Sequence, residues 1–249
     1  MQNNIYKESY KELLSCIVNI SIEMNEVILL KYFDKLGINN KYLLSLFNES
    51  YKSAFIVCEA IKNGCVSQAA VVLRLLLESS SIIRVLIDYP DLLEKYVKHF
   101  KIRLDISHTP NKERSVLENS FPNVESNKRL SYMDYGWFES KLEPKIKNGK
   151  LDIPKPSETE LIRLAKFDDI IEWKKLYLDK ISHQSFMMEN MINSNGEIPI
   201  LTSFLEILCK LFDCLCCDFH QLTNFDFVFD GLNVFQDKFR NLYKNEDFK

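Results

Sequence analysis

Helix-breaking residues are scarce in this chain, and their positions constrain its fold more than any other feature. The 249 residues include 6 glycines and 7 prolines, and no proline precedes Pro90. Sandwiches and barrels need many tight turns that rely on these two residue types. Because apolar residues recur instead at spacings of three and four, the sequence predicts an all-α protein, a multi-helix bundle.

Four long helices are predicted in the first part of the chain. They cover about residues 5–36, 41–62, 67–88 and 91–107. The second helix is expected to stop at Asn63-Gly64, a typical C-terminal signal. Ser67 is a candidate N-cap for the third helix, and Pro90 prevents that helix from continuing.

The segment 109–156 is different because most of the prolines lie in it. They are Pro110, Pro122, Pro144, Pro154 and Pro156. We expect short helices and irregular chain here, as an insertion or connecting segment within a single all-helical domain of residues 1–249. No strand is predicted. Helical order is expected to resume after the capping box Ser157-Glu158-Thr159-Glu160, with a helix from about residue 168, one over 199–223 and a short terminal one.

The charge distribution and the cysteines bear on the setting of the protein. The net charge is -3, made up of 0 over residues 1–89, +3 over 90–156 and -6 over 157–249. This is far less basic than a dedicated nucleic-acid-binding domain. The N-terminus lacks a secretory pattern, and no apolar run reaches membrane-spanning length. Since the 7 cysteines form no regular framework, we expect a cytoplasmic protein with no membrane partner.

The third predicted helix carries the main candidate site. Winding residues 67–88 as an α-helix places six polar or charged side chains within one arc of roughly 120°. They are Ser67, Arg74, Glu78, Ser81, Arg84 and Asp88. Ala70, Leu77 and Val85 fall in the same arc, so we expect Arg74 and Glu78 to be half-buried. Two alternatives are a solvent-exposed pair and a buried pair with a purely structural role.

Histidines supply two further candidates. His183 follows Trp173 and Leu176 on one seam of a later helix, so it is either a satisfied core residue or an imidazole facing Arg74 and Glu78. Arg103 and His108 form an alternative pair. An arginine and a histidine about one turn apart can hold a phosphate while moving the 2′-hydroxyl proton of RNA.

Other patterns give weaker signals. The cysteines at positions 209, 214, 216 and 217 lack the paired spacing of zinc sites, and no phosphate-binding glycine loop is present, so neither a metal ion nor a cofactor is expected. The lysines that follow Trp137 and Phe138 predict either a basic and aromatic RNA-binding patch or a solvated loop.

Several of these residues resemble a known group of proteins. The run Gly64-x3-Gln68-Ala69-x4-Arg74-x2-Leu77-Glu78, followed by Trp173, Tyr177 and Ser182-His183, resembles a poorly characterised family of bacterial helical proteins. That family is similar to the HEPN superfamily of helical bundles. The likeness covers about residues 40–190. The superfamily's signature is an arginine followed, after four to six residues, by a histidine. No arginine lies at that distance before His183, and only Arg103 and His108 fit the signature.

The resemblance implies a fold and a function. It implies a HEPN-like bundle that forms a homodimer and acts on RNA, as a metal-independent ribonuclease in a toxin or phage-defence module. Arg74, Glu78 and His183 would be the catalytic residues, and an antitoxin or another protein would be a partner. The alternative is a non-catalytic helical module that binds a protein or a small ligand.

Overall fold

The computed structural model describes residues 2–32, 38–147, 150–152, 154–178, 199–224, 234–238 and 240. Helices dominate these residues, so the all-α prediction is confirmed. The helices are α1 (Gln2–Val27), α2 (Ile38–Lys62), α3 (Val66–Asp88), α4 (Leu93–His108), α5 (Glu113–Ser120), α6 (Arg129–Tyr135), α7 (Glu158–Leu164), α8 (Asp168–Trp173) and α9 (Pro199–Thr223). A further helical turn covers residues 234–238.

Short helical turns of other pitch separate these elements. Two π-helical turns, Ile28–Tyr32 and Lys174–Leu178, directly follow α1 and α8. The 3-10 turns are Pro90–Leu92, Pro110–Lys112, Ser126–Lys128 and Gly136–Lys141. Both proline-initiated turns use a residue whose fixed φ suits the start of a helix and whose missing N–H is not needed there.

The predicted cap at the end of α2 is confirmed, whereas the predicted start of α3 is wrong. Gly64 adopts φ 69°, and its N–H donates to the carbonyl of Ile61 at 3.1 Å. The N–H of Cys65 donates to the carbonyl of Ala60 at 2.8 Å, which completes a Schellman motif. The chain re-enters a helix directly afterwards, at Val66, so Ser67 lies inside α3 and is not its N-cap.

Ser157 is confirmed as the N-cap of α7, which is the serine half of the predicted capping box. The hydroxyl of Ser157 accepts a hydrogen bond from the N–H of Glu160 at 3.3 Å. A side-chain cap of this kind is worth about 1 kcal/mol because it satisfies a backbone donor that the helix leaves open. Among the described residues, α7 is the first α-helix after α6.

One strand pair was not predicted. Strands β1 (Lys145–Lys147) and β2 (Lys150–Asp152) pair antiparallel, with Ile146 opposite Leu151. The expectation of no strand is therefore wrong for this short hairpin. The overlooked signal is the dipeptide Asn148-Gly149, which is typical of two-residue hairpin connections.

The chain divides into two compact units. The terminal unit comprises Met1–Ile83 and Asp169–Lys249, and the central unit is Arg84–Asp168. The segment 109–156 contains the short helices α5 and α6, as predicted, and it is part of this larger central unit. That the whole chain behaves as a single domain stays a prediction.

The terminal unit has an aromatic core between α2 and α9. The ring centroids of Phe47 and Phe219 lie 5.2 Å apart, and those of Tyr51 and Phe212 lie 5.8 Å apart, both edge to face. Phe212 also contacts Phe235 at 5.5 Å. Such pairs add about 0.5–1.5 kcal/mol each beyond the burial of their surface. These rings therefore hold distant parts of the sequence together.

The central unit has a core of its own. Its buried cluster consists of Ile102, Leu117, Phe121 and Met133, with Ile106, Val116, Val124 and Tyr132 packed against it. These residues come from α4, α5, α6 and the turn between the last two. The packing fixes α4 against α6, and that contact positions the charged residues described below.

Candidate functional site

Arg74 and Glu78 lie at the edge of the buried face of α3. Both are half-buried, as predicted, and both take part in polar or electrostatic interactions. On one side of them along the helix surface Leu77 is buried, and on the other Val71 and Leu75 are 42% and 55% exposed. The two charges are therefore neither freely solvated nor enclosed in the core.

Other members of the predicted polar arc have different surroundings. The hydroxyl of Ser81 is buried and donates to the carbonyl of Leu77 at 2.7 Å, so it is satisfied within its own helix. Asp88 accepts a bond from Lys166 at 3.0 Å in the central unit. The hydroxyl of Ser50 in α2 donates to the hydroxyl of Ser79 in α3 at 2.8 Å, so these two helices are in contact.

The His183 prediction is not tested, because His183 lies outside the described residues. Among the described residues, α8 is followed directly by the π-helical turn Lys174–Leu178, so Trp173 and Leu176 lie in differently wound parts of the chain. A contact of His183 with Arg74 stays a prediction.

The structure does not bring Arg103 and His108 together. The Nε of Arg103 lies 3.3 Å from Oδ1 of Asp134, whereas Nδ1 of His108 lies 2.7 Å from the carbonyl of Leu104 in its own helix. Both residues belong to α4, and five residues correspond to about 140° around an α-helix axis. The pair therefore occupies different faces.

A different histidine shares the face of Arg103, and the sequence analysis did not identify it. His99 precedes Arg103 by one turn of α4 and is 8% exposed. Its ring lies between Phe121 and Tyr132, at centroid distances of 5.1 and 5.8 Å. Nδ1 of His99 lies 2.9 Å from the carbonyl of Met133. Because a carbonyl only accepts, Nδ1 carries the proton in this contact.

His99, Arg103 and Asp134 form one electrostatic group, which we call the α4 cluster. Burial lowers the pKa of His99, while hydrogen bonds to the backbone of Met133 and Tyr132 oppose that change. Burial raises the pKa of Asp134, and the nearby Arg103 and His99 act in the opposite direction. At neutral pH the cluster thus holds a neutral imidazole beside an ion pair.

Of the two alternatives for the lysines after Phe138, the basic and aromatic RNA-binding patch is wrong in its aromatic part. Trp137 and Phe138 are buried, and Nε1 of Trp137 donates to the carbonyl of Asp134 at 3.1 Å. Rings in such positions cannot stack on nucleic-acid bases. Lys141 is also engaged, because its Nζ lies 2.9 Å from Asp91 and 5.0 Å from the ring centre of Tyr89.

The four cysteines of α9 point in different directions. Cys209 and Cys216 are buried, and burial raises the pKa of each thiol, so both are neutral thiols at ordinary pH. Cys214 is half-buried and Cys217 is exposed. Within the part of the chain that the structure describes, no three His, Cys, Asp or Glu side chains are grouped to hold a metal ion.

A shallow depression of about 360 Å³ lies on the central unit, beside α5. Its charged residues neutralise one another, since Glu118 lies 3.1 Å from Arg114 and 3.5 Å from Arg129. Arg129 also donates to the carbonyls of Phe121 and Val124. We infer that the bonds of Arg129 hold the turn after α5 in place.

No helix among the described residues is long and apolar enough to span a membrane. Comparison with protein-family models, with curated proteins and with solved structures gives no match to this chain.

Proposed function

We propose that this chain is a cytoplasmic, HEPN-like helical protein that acts on RNA as a metal-independent endoribonuclease in a toxin or phage-defence module. The observation that supports the proposal is the half-buried position of Arg74 and Glu78, one turn apart on α3. A cation held at such a boundary is partly desolvated and yet open to a phosphate, which strengthens its interaction with that phosphate.

The proposed residues have distinct roles. Cleavage of RNA without a metal ion needs a base that takes the 2′-hydroxyl proton and a cation that stabilises the phosphorane. Arg74 is the proposed cation, Glu78 orients it, and His183 is the proposed base. The protein would act as a homodimer, with an antitoxin or another protein as its regulator.

The test is RNA cleavage by the purified full chain in the presence of EDTA. We expect cleavage by the wild type. The cleavage rate should fall by about 10²-fold or more in Arg74→Ala and in His183→Ala, because each variant removes one of the two groups that the reaction needs. Arg114→Ala, which removes an arginine of α5 that is 92% exposed, is the control. No cleavage by the wild type would exclude the ribonuclease, and cleavage unaffected by both changes would remove its assignment to these residues.

A binding module is the second candidate, and the exposed apolar residues of α3 favour it. Val71 and Leu75 are one turn apart and largely exposed beside Arg74 and Glu78. Apolar residues next to charges are typical of a surface that contacts a protein. Under this alternative, Leu75→Ser removes partner binding and leaves RNA unaffected, whereas under the ribonuclease proposal it leaves cleavage in place.

A further inference from the structure

Two helices of the terminal unit, α2 and α9, run antiparallel along a shared face. Phe47 of α2 contacts Phe219 of α9, and Tyr51, one turn further along α2, contacts Phe212, two turns earlier in α9. Since a later residue of α2 thus meets an earlier residue of α9, the two helices run in opposite directions. Positions along this face can therefore be paired by counting from a known contact.

Cys58 and Cys209 lie at paired positions of this face. The hydroxyl of Tyr51 donates to Sγ of Cys216 at 3.9 Å. Cys58 is seven residues after Tyr51, and Cys209 is seven residues before Cys216. Seven residues make about two turns, which returns the chain to the same side of a helix. The register that joins Tyr51 to Cys216 therefore places Cys58 opposite Cys209.

The surroundings of the two thiols agree with this register. Cys58 and Cys209 are fully buried, and both are free thiols. Burial raises the pKa of the Cys209 thiol, and the charge of Cys58 raises it further. Because an interaction between charges weakens with distance, the two sulfurs lie near each other. Ala54, one turn before Cys58, is also fully buried, and small side chains let two helices approach closely.

Oxidation of this pair needs a peroxide and an open interface. A thiolate is the nucleophile, and burial raises the pKa of Cys58 to about 12, so the closed interface protects both thiols. Once the interface opens, the thiolate of one cysteine attacks a peroxide oxygen, the O–O bond breaks and hydroxide leaves, which gives a sulfenic acid. The thiolate of the other cysteine then attacks that sulfur, and a second hydroxide leaves as the S–S bond forms. The two thiols lose two protons and two electrons, and the peroxide becomes two molecules of water.

We propose that Cys58 and Cys209 are a redox-sensitive lock, which a peroxide closes by forming a disulfide between α2 and α9. The bond joins residues far apart in the sequence, so it restricts the unfolded chain and stabilises the terminal unit. Molecules that open under oxidative conditions are held closed until a thiol reductant restores the cysteines. The lock goes beyond the proposed ribonuclease function. It uses none of Arg74, Glu78 and His183, and it can fail or hold without them.

The first experiment tests whether the bond forms. The reduced full chain is treated with hydrogen peroxide, the remaining thiols are alkylated, and the peptides are mapped by mass spectrometry without reduction. We expect a pair of peptides joined through Cys58 and Cys209. Urea below the unfolding transition should speed its formation, because local opening exposes the thiols. No such pair, or a bond that joins either cysteine to a different one, would overturn the proposal.

Serine variants assign the bond by an independent measurement. A disulfide between distant residues makes the denatured chain more compact, so the oxidised protein should migrate faster in a non-reducing gel. This shift should be absent in Cys58→Ser and in Cys209→Ser. Cys217→Ser is the control, because it removes an exposed thiol of α9, and it should keep the shift. A shift that persists in either of the first two variants, or is lost in the control, would assign the bond to other thiols and overturn the lock.

The last experiment uses only the wild type, so it does not depend on how the variants fold. The oxidised chain should have a thermal denaturation midpoint about 5–15 °C above that of the reduced chain. Dithiothreitol should return the midpoint to the reduced value. Hydrogen exchange in α2 and α9 should be slower in the oxidised form. Equal midpoints for the two forms would refute the lock.

Discussion

In the terminal unit, Arg74 and Glu78 lie one turn apart on a single helix, at the margin of its apolar face. In the central unit, by contrast, His99 and Arg103 of α4 meet Asp134 of α6. The first arrangement arises from the winding of one segment, whereas the second needs two helices to pack. The difference teaches that local periodicity places charges on a surface, and that packing selects which of them meet.

The largest expected effect tests whether the two units depend on separate cores. Phe47→Ala removes a ring that contacts both Tyr51 and Phe219 in the terminal unit. We expect a loss of about 3–5 kcal/mol in the free energy of unfolding, as for other aromatic deletions in cores. Hydrogen exchange should show faster opening in α2 and α9, and little change in α4 and α6. Equal acceleration in all four helices would show that the units unfold together.

The next prediction tests the half-burial of the α3 pair. Glu78→Ala should lower the free energy of unfolding by about 1–3 kcal/mol, because it leaves a partly desolvated arginine without its neighbouring carboxylate. Glu49→Ala is the control, since the side chain of Glu49 is 68% exposed in its ion pair with Lys52 and should cost less than about 1 kcal/mol. Chemical denaturation measures both, and equal costs would place Glu78 at an ordinary exposed position.

A smaller effect is expected from pH in the central unit. The folded protein lowers the pKa of His99, so the unfolded chain binds the proton more strongly. Stability should therefore fall as the pH drops through the ordinary histidine value of 6.5. Asp134, whose pKa is raised, acts in the opposite sense near its ordinary value of 3.8.

The measurement is the unfolding free energy of the wild type and of His99→Asn between pH 5 and 8. We expect the variant to lose most of the slope near pH 6. His108→Asn, at the exposed end of α4, is the control and should keep the slope. A wild-type slope that survives in His99→Asn would assign the proton uptake to another group.

The smallest effect concerns the turn that ends α7. Lys166 adopts φ 64°, a left-handed conformation that suits glycine, and its side chain pairs with Asp88 although it is 76% exposed. Lys166→Gly should raise stability by up to about 1 kcal/mol, because relief of backbone strain outweighs loss of a surface ion pair. Lys166→Ala keeps the strain and should not stabilise. A loss of stability in the glycine variant would show that the ion pair matters more.

Much of the fold could be predicted because helix signals are local. The spacing of apolar residues predicted α2 and α3 to within a few residues, and α9 with its observed bounds. The Ser157 cap and the Gly64 stop each depend on neighbours within one helical turn. The hairpin was missed because its strands are three residues long, too short to show a periodic pattern.

The candidate sites divide in the same way. The boundary position of Arg74 and Glu78 follows from the winding of α3, and it was predicted. The pairing of Arg103 was not, since its partner Asp134 lies on another helix. His99 was overlooked because its hydrogen-bond acceptor, Met133, is 34 residues away in the sequence.

The sequence by itself determined that this chain forms long helices, where several of them begin and end, and which face of α3 carries charge, because backbone hydrogen bonds and side-chain spacing act over a single turn. Only the tertiary structure decided that Trp137 is buried rather than free to stack, and that His99 rather than His108 shares a cluster with Arg103. Those outcomes depend on how α4 packs against α6, and packing is a property of surfaces that the chain brings together only when it folds.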